Sequence, residues 1–141
     1  MVRLATVTDA EQLNLLNKEF NGPGETTLVH IRASLCDNKQ EVVIVDEEDG
    51  ALVGFVCVQL KKSFCYEVVT AELTEVYVKP AYRKKGIASR MIFFAEEYCR
   101  NHFPVYKFEL LTGRKNKVAQ AVYGKLGYAD DGELHMSKKV K

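Results

Sequence analysis

Three cations followed by a glycine, Arg83-Lys84-Lys85-Gly86, are the residues whose types and order point most directly to chemistry in this 141-residue chain. They follow an extended run of β-branched and aromatic residues, Val76-Tyr77-Val78-Lys79, and a turn at Pro80. Beyond Gly86 the apolar spacing becomes helical, with Ile87, Met91, Phe94 or Ala95, Tyr98 and His102 on one stripe. A turn that hands over to a helix exposes N–H groups with no intrahelical partner, at the positive end of the dipole. Anions bind there, phosphate above all. Gly86 allows close backbone approach and dihedrals that a Cβ forbids, and Arg83, Lys84 and Lys85 add mobile positive charge. The physical reading is a pyrophosphate seat; the plainer alternative is a solvated cationic loop.

Other chemistries are poorly served. The glycine spacing of a nucleotide P-loop or a dinucleotide-binding turn is missing. Nucleic-acid binding through Arg83-Lys84-Lys85 has a weak case, because the run is short and the net charge is only +1. Cys36, Cys57, Cys65 and Cys99 are scattered, without a Cys-x-x-Cys pair or a histidine at ligand spacing. Neither a zinc site nor a disulfide framework is expected, and the thiols read as buried and free in a reducing compartment. No secretion signal or membrane-spanning run is visible, so a cytoplasmic protein with no membrane partner is expected.

The cationic turn also carries a resemblance. Arg83-Lys84-Lys85-Gly86-Ile87-Ala88 fits the Arg/Gln-x-x-Gly-x-Gly/Ala signature of the GCN5-related N-acetyltransferase (GNAT) superfamily, which binds acetyl-coenzyme A. Val76-Tyr77-Val78-Lys79-Pro80-Ala81-Tyr82 looks like that family's strand-and-turn approach. Further on, Asn116-Lys117-Val118-Ala119 and Tyr123-Gly124-Lys125-Leu126-Gly127-Tyr128 resemble its second block. The resemblance extends more loosely over essentially the whole chain.

The elements that must position these residues read as follows. Val2 to Val7 is a short strand, and Thr8-Asp9-Ala10-Glu11 has the form of a capping box before a helix with Leu13, Leu16 and Phe20 on its stripe. Asn21-Gly22-Pro23-Gly24 interrupts that helix, and Leu28, Ile31 and Leu35 predict a short second one. Gly22-Pro23-Gly24 is either a mobile lip beside the acceptor site, as the superfamily implies, or a plain turn. Val42 to Val45 and Ala51 to Val58 form a hairpin whose turn is Asp49-Gly50, with Asp46 to Asp49 read as a solvated acidic turn. A strand from about Glu67 to Val78 precedes the helix that starts at Gly86 and stops near Asn101, ahead of Phe103-Pro104. Val105 to Leu111 is the next strand. Asn116 caps a helix striped by Val118, Val122 and Leu126, with Gly127 as its left-handed terminator. After the turn at Ala129-Asp130-Asp131-Gly132, residues 133–140 alternate as a last strand. The order β-α-α-β-β-β-α-β-α-β-β is a single α/β (α+β) domain, residues 1–141, with a mixed central sheet and helices on both faces. It matches the superfamily fold.

The resemblance implies acetyl-coenzyme A as co-substrate, with no metal. Backbone groups along Val76, Tyr77 and Val78 would align the pantetheine arm, in a gap where the strand splays from its parallel neighbour at Val105–Leu111. The pyrophosphate would take the N–H groups from Lys84 through Ser89, hence Arg83, Lys84, Lys85, Gly86, Ile87, Ala88 and Ser89 as cofactor residues. Asn116 would bond the cofactor arm, cap its helix, or both. Tyr77, Tyr82, Tyr128 and Phe108 read as packing residues.

The reaction implied is direct attack of a primary amine on the acetyl thioester. An amine is largely protonated at neutral pH and must lose a proton first. Glu75 or Glu72, or a water held by one, could accept it, and Glu75 is preferred as nearer the thioester. Being an odd number apart in an extended strand, the two should face opposite sides. Tyr123 matches the family tyrosine that protonates the leaving thiolate. The acceptor is read as a small amine such as an aminoglycoside, polyamine or amino-acid derivative. A protein or peptide amine is the alternative, and a non-catalytic acetyl-coenzyme A-binding module is a second. Relatives imply a homodimer.

Overall fold

A computed structural model describes residues 1–140. The chain divides into two compact units, Met1–Leu111 and the segment from Thr112 onward. The first contains β1 (Val2–Leu4), α1 (Ala10–Asn21), α2 (Leu28–Cys36), β2 (Glu41–Glu48), β3 (Ala51–Lys61), β4 (Val69–Val78), α3 (Ile87–His102) and β5 (Val105–Leu110). Single 3₁₀ turns at Val7–Asp9 and Pro80–Tyr82 lead into the first and third helices. The second unit contains α4 (Lys117–Lys125). The sheet runs β1-β2-β3-β4-β5. It is antiparallel except for β4 and β5, which are parallel because α3 carries the chain back across the sheet.

Each face of the sheet takes a helical layer. On one, Val43, Val45, Phe55, Cys57 and Tyr77 meet Leu13 and Leu16 of α1 and Ile31 and Leu35 of α2. Neighbouring strand residues point the other way, so Gly54 belongs to the opposite face. A Cβ there would lie 3.0 Å from Met91 Cε and 2.6 Å from Tyr77 O. Only a glycine lets α3 come that close. The buried stripe of α3 is Ile87, Met91, Ile92, Ala95 and Cys99. Tyr98 lies off this stripe and stacks on His102, ring centroids 4.0 Å apart.

Several expectations change in detail. The first capping interaction begins at Thr6, not Thr8: the Thr6 N–H donates to Asp9 Oδ2 at 2.8 Å. Arg3 fixes that carboxylate with a two-pronged contact, at 2.8 and 2.9 Å, and β1 ends at Leu4, short of Val7. Asp46 is no part of a solvated turn. It is 1% exposed, belongs to β2, and accepts from the Met1 ammonium at 2.9 Å. The turn itself is Asp49-Gly50, whose φ values of 53° and 82° are those of a tight hairpin. Cys99 is buried and Cys57 half-buried, whereas Cys36 and Cys65 are exposed, because they fall where α2 ends and in the β3–β4 loop.

The largest difference is at the C-terminus. Among the described residues no strand follows α4. Asx turns fold the chain at Asp130 and Asp131, which accept from the N–H groups of Gly132 and Glu133 at 2.8 and 2.9 Å. The alternating residues beyond bury nothing: Leu134 is 71% exposed, Met136 81% and Val140 96%. Alternation predicts a strand only when one face gains a burial that offsets the entropy of ordering.

Candidate active site

The turn between β4 and α3 is shaped for an anion. Lys84 and Gly86 have φ of 62° and 79°, and alternating hands of this kind turn successive N–H groups toward one concavity. From Lys84 through Ser89 no backbone N–H donates to another backbone group outside the helix ladder, which begins with Arg90 N–H on Gly86 O at 3.0 Å. Gly86 is the N-cap, and no side chain caps the helix. A helix end left open this way normally seeks an acceptor from outside. Lys84 and Lys85 are exposed beside it, while Arg90 Nη1 donates to Lys85 O at 3.0 Å and braces the loop.

Arg83 is tied to the strand. Its guanidinium lies over the Tyr77 ring at 5.7 Å, as Lys85 Nζ lies over the Tyr82 ring at 5.4 Å, and its Nε donates to Val78 O at 2.8 Å. It thus braces strand against turn instead of adding loose charge at the anion seat.

The strand leading into the turn has one free edge. β4 pairs with β5 only from Val69 to Leu73, so Thr74 to Val78 have no strand on that side. The Lys79 N–H donates to Val53 O at 2.8 Å, which fixes the phase of the ladder with β3. Tyr77 then exchanges backbone bonds with Phe55, and the backbone groups of Val76 and Val78 point to the open edge. Tyr77 therefore presents no backbone group there. Its ring packs with Phe20 and Phe55, its hydroxyl donates to Glu19 Oε1 at 2.9 Å, and burial raises its pKa.

The same strand overturns the parity argument for Glu72 and Glu75. Cys57 faces Glu75 and Val58 faces Leu73, so Thr74 is an extra residue, a β-bulge. Glu72 opposes Gln59; since Cys57 and Gln59 lie two apart on β3, both glutamates point to the α1–α2 face. They differ in partners. Glu72 is ion-paired with Lys61 at 2.6 Å, and Lys61 also approaches Glu109 of β5 at 3.7 Å. Among the described residues Glu75 has neither a Lys nor an Arg partner. Burial, and next the charge of Glu41, push its carboxyl above the usual range. Glu41 accepts from Gln59 Nε2 at 3.0 Å. Loss of hydration around the Cys57 sulfur, followed by the fields of Glu41 and Glu75, holds its thiol well above the ordinary value. Motif reading misses Glu41 and Gln59 altogether. Their only trace in the sequence is a polar residue interrupting the apolar run Val58-Gln59-Leu60.

In the second unit, Asn116 caps α4 by accepting from the Ala119 N–H at 3.2 Å. Gly127, φ 97°, ends the helix, with the Tyr128 N–H on Tyr123 O at 3.0 Å. Tyr123 lies edge-on to Tyr128, centroids 6.3 Å apart, and burial raises its phenol pKa. Among the described residues no group of three His, Cys, Asp or Glu side chains gathers as a metal site, and no helix is long and apolar enough to cross a membrane.

Comparison with known proteins agrees with this architecture. The chain is 33% identical over 60 residues to the spermidine N(1)-acetyltransferase of Escherichia coli strain K12, a match covering 43% of this chain and 32% of that protein. It thus spans about a third of the length of that curated relative. Its fold is similar to that of AAC(6')-Iy, an aminoglycoside N-acetyltransferase solved with the bisubstrate analogue CoA-S-monomethyl-acetylneamine. The TM-score is 0.86 at 18% identity, over 99% of this chain and 97% of that one. The ribosomal-protein-alanine N-acetyltransferase of Brucella melitensis biovar Abortus 2308 aligns with a TM-score of 0.81 at 19% identity, over 99% of both chains. The description of the acetyltransferase (GNAT) family matches residues 10–128, from the first residue of α1 to the aromatic residue that follows Gly127, and the chain belongs to that family.

Proposed function

We propose that this protein is an acetyl-coenzyme A-dependent N-acetyltransferase acting on the primary amine of a small, cationic molecule, a polyamine or aminoglycoside being the leading class. The observation that carries the reading is the joined pair of open backbone features: the unpaired N–H groups from Lys84 through Ser89, directly continuous with the strand-free edge at Val76 and Val78, where Val78 O is held by Arg83 Nε and the rest stays open. One suits a pyrophosphate and the other an extended amide-bearing arm. A coenzyme A thioester has both. The acceptor class is supported by the half-buried carboxylates of Glu41 and Glu75 and by the partial match to a spermidine acetyltransferase.

In this reading the amine nitrogen attacks the thioester carbonyl carbon. The ammonium first gives a proton to Glu75. The C–N bond then forms, the C–S bond breaks, and the nitrogen releases its second proton to solvent. The departing thiolate takes a proton from the Tyr123 hydroxyl, which is reprotonated from solvent as Glu75 returns its proton there. A raised carboxyl pKa brings Glu75 closer to the amine it must deprotonate. A raised phenol pKa keeps Tyr123 protonated until the thiolate forms. Placement of the two substrates would supply about 7–11 kcal/mol of the barrier reduction, more than either proton transfer.

The test is coenzyme A release, followed with a thiol reagent, over aminoglycosides, polyamines, amino acids and short peptides, with the thiol signal of the exposed Cys36 and Cys65 subtracted. Turnover confined to polycationic amines is the expected result. Turnover confined to peptides would move the acceptor to protein substrates, and calorimetric binding of acetyl-coenzyme A without turnover would point to a sensor. No binding at all would sink the reading.

A further inference from the structure

Glu41 lies two strands away from Glu75, with only Cys57 and Gln59 of β3 between them on the same face. The two carboxylates are of one kind but differently equipped. Burial raises the Glu41 carboxyl as it raises that of Glu75, but at Glu41 this is opposed by a hydrogen bond from Gln59 Nε2 at 3.0 Å, another from Ser34, and the charge of His30 of α2. Among the described residues no donor or cation acts on Glu75, only burial and the charge of Glu41. The other charged groups on this face are engaged elsewhere. Glu72 holds Lys61, Glu109 of β5 approaches Lys61 and Lys107, and Glu19 of α1 binds the Tyr77 hydroxyl and Lys79.

Donors favour the charged form of the acid they serve, and a like charge nearby disfavours ionisation of the second acid. When two such acids interact through space, the one with fewer donors keeps its proton to higher pH. We propose that Glu41 is a positioning residue for proton transfer: kept the more readily ionised of the two by Gln59, Ser34 and His30, it makes Glu75 the member of the pair that takes up and holds the proton. This rests on the reading of Glu75 as the base, and adds that the base is set by a residue two strands away. It also explains the bulge at Thr74, without which Glu75 would turn to the opposite face, out of reach of Glu41.

The experiment is a carbon-detected NMR titration of glutamate carboxyls in the full chain, with the Glu75 resonance assigned by its loss in E75Q. In E41Q the Glu75 midpoint moves to lower pH, and in E41D, which keeps the charge, it stays near that of the wild type. The acid limb of kcat/KM, measured with whichever amine the acceptor panel identifies, follows the same direction. A Glu75 midpoint unmoved in a folded E41Q overturns the proposal. A merely structural role for Glu41 would lower activity or melting temperature without moving that midpoint. Failure of the underlying reading is separately visible: if E75Q keeps the wild-type acid limb, Glu75 is not the base, whatever Glu41 does to it.

Discussion

Val69–Leu73 and Glu75–Val78 belong to one strand, and both are paired with β3. The first half is also paired with β5 and buries Val69, Ala71 and Leu73. The second half has an open edge, projects a carboxylate, and runs into a turn of unpaired N–H groups. One bulged residue, Thr74, divides them. A strand can therefore be scaffold along one stretch and binding surface along the next without leaving the sheet. The second stretch can leave backbone groups unsatisfied because the first is fixed on both sides. The two kinds of chemistry assigned to this region also divide: anion and arm binding rest on backbone groups, proton transfer on side chains.

That division can be broken from its strongest point downward. Gly86→Glu should abolish acetyl-coenzyme A binding in calorimetry, by bulk and by like charge against phosphate. The backbone strain at φ 79° should cost only about 1–2 kcal/mol of stability. Retained binding in that variant would remove the backbone half of the comparison. Tyr123→Phe should do the reverse, lowering kcat by roughly 10²–10⁴-fold while leaving the cofactor dissociation constant nearly unchanged; full turnover across the pH range would show that no phenol proton is needed. Gly54→Ala tests the support beneath. Its Cβ would press on Tyr77 O and Met91 Cε, so urea unfolding should show a loss of about 1–3 kcal/mol, and an unchanged midpoint would mean that α3 can yield.

The smallest effect concerns pH. A carboxyl whose pKa is raised on folding stabilises the fold below its unfolded pKa, and that contribution is lost as pH rises through the folded value. Glu75 is raised. E75Q should therefore match or trail the wild type in acid and gain on it in melting temperature as pH rises past the ordinary carboxylate range. A gain that instead grew on acidification would contradict the burial and like-charge account of this residue.

Much of this was legible in the sequence, for identifiable reasons. The anion turn is written in residue types, because Gly86 is needed for its φ and the helix that follows has a 3.6-residue period. The hairpin at Asp49-Gly50 and the end of α4 at Gly127 were legible for the same reason. What escaped was set by register. Glu72 and Glu75 share a face because of Thr74, a residue with no bulge signature, and simple alternation gave the opposite answer. Arg83 belongs to a cationic run, yet its place over Tyr77 depends on where the strand before it ends. The final strand failed because alternation describes a residue pattern and says nothing of whether a partner surface exists.

The extra residue at Thr74 also constrains how this protein could be altered over generations. Substitutions at Glu41, Gln59 or Glu75 can retune the face one side chain at a time while the scaffold stays put. A change of length between Leu73 and Glu75 cannot be so local, because it would exchange the two sides of everything from Glu75 to Val78, sending Tyr77 out of its aromatic cluster and the carboxylate toward α3. The chemistry of this face is thus open to point mutation and closed to insertion or deletion along this stretch.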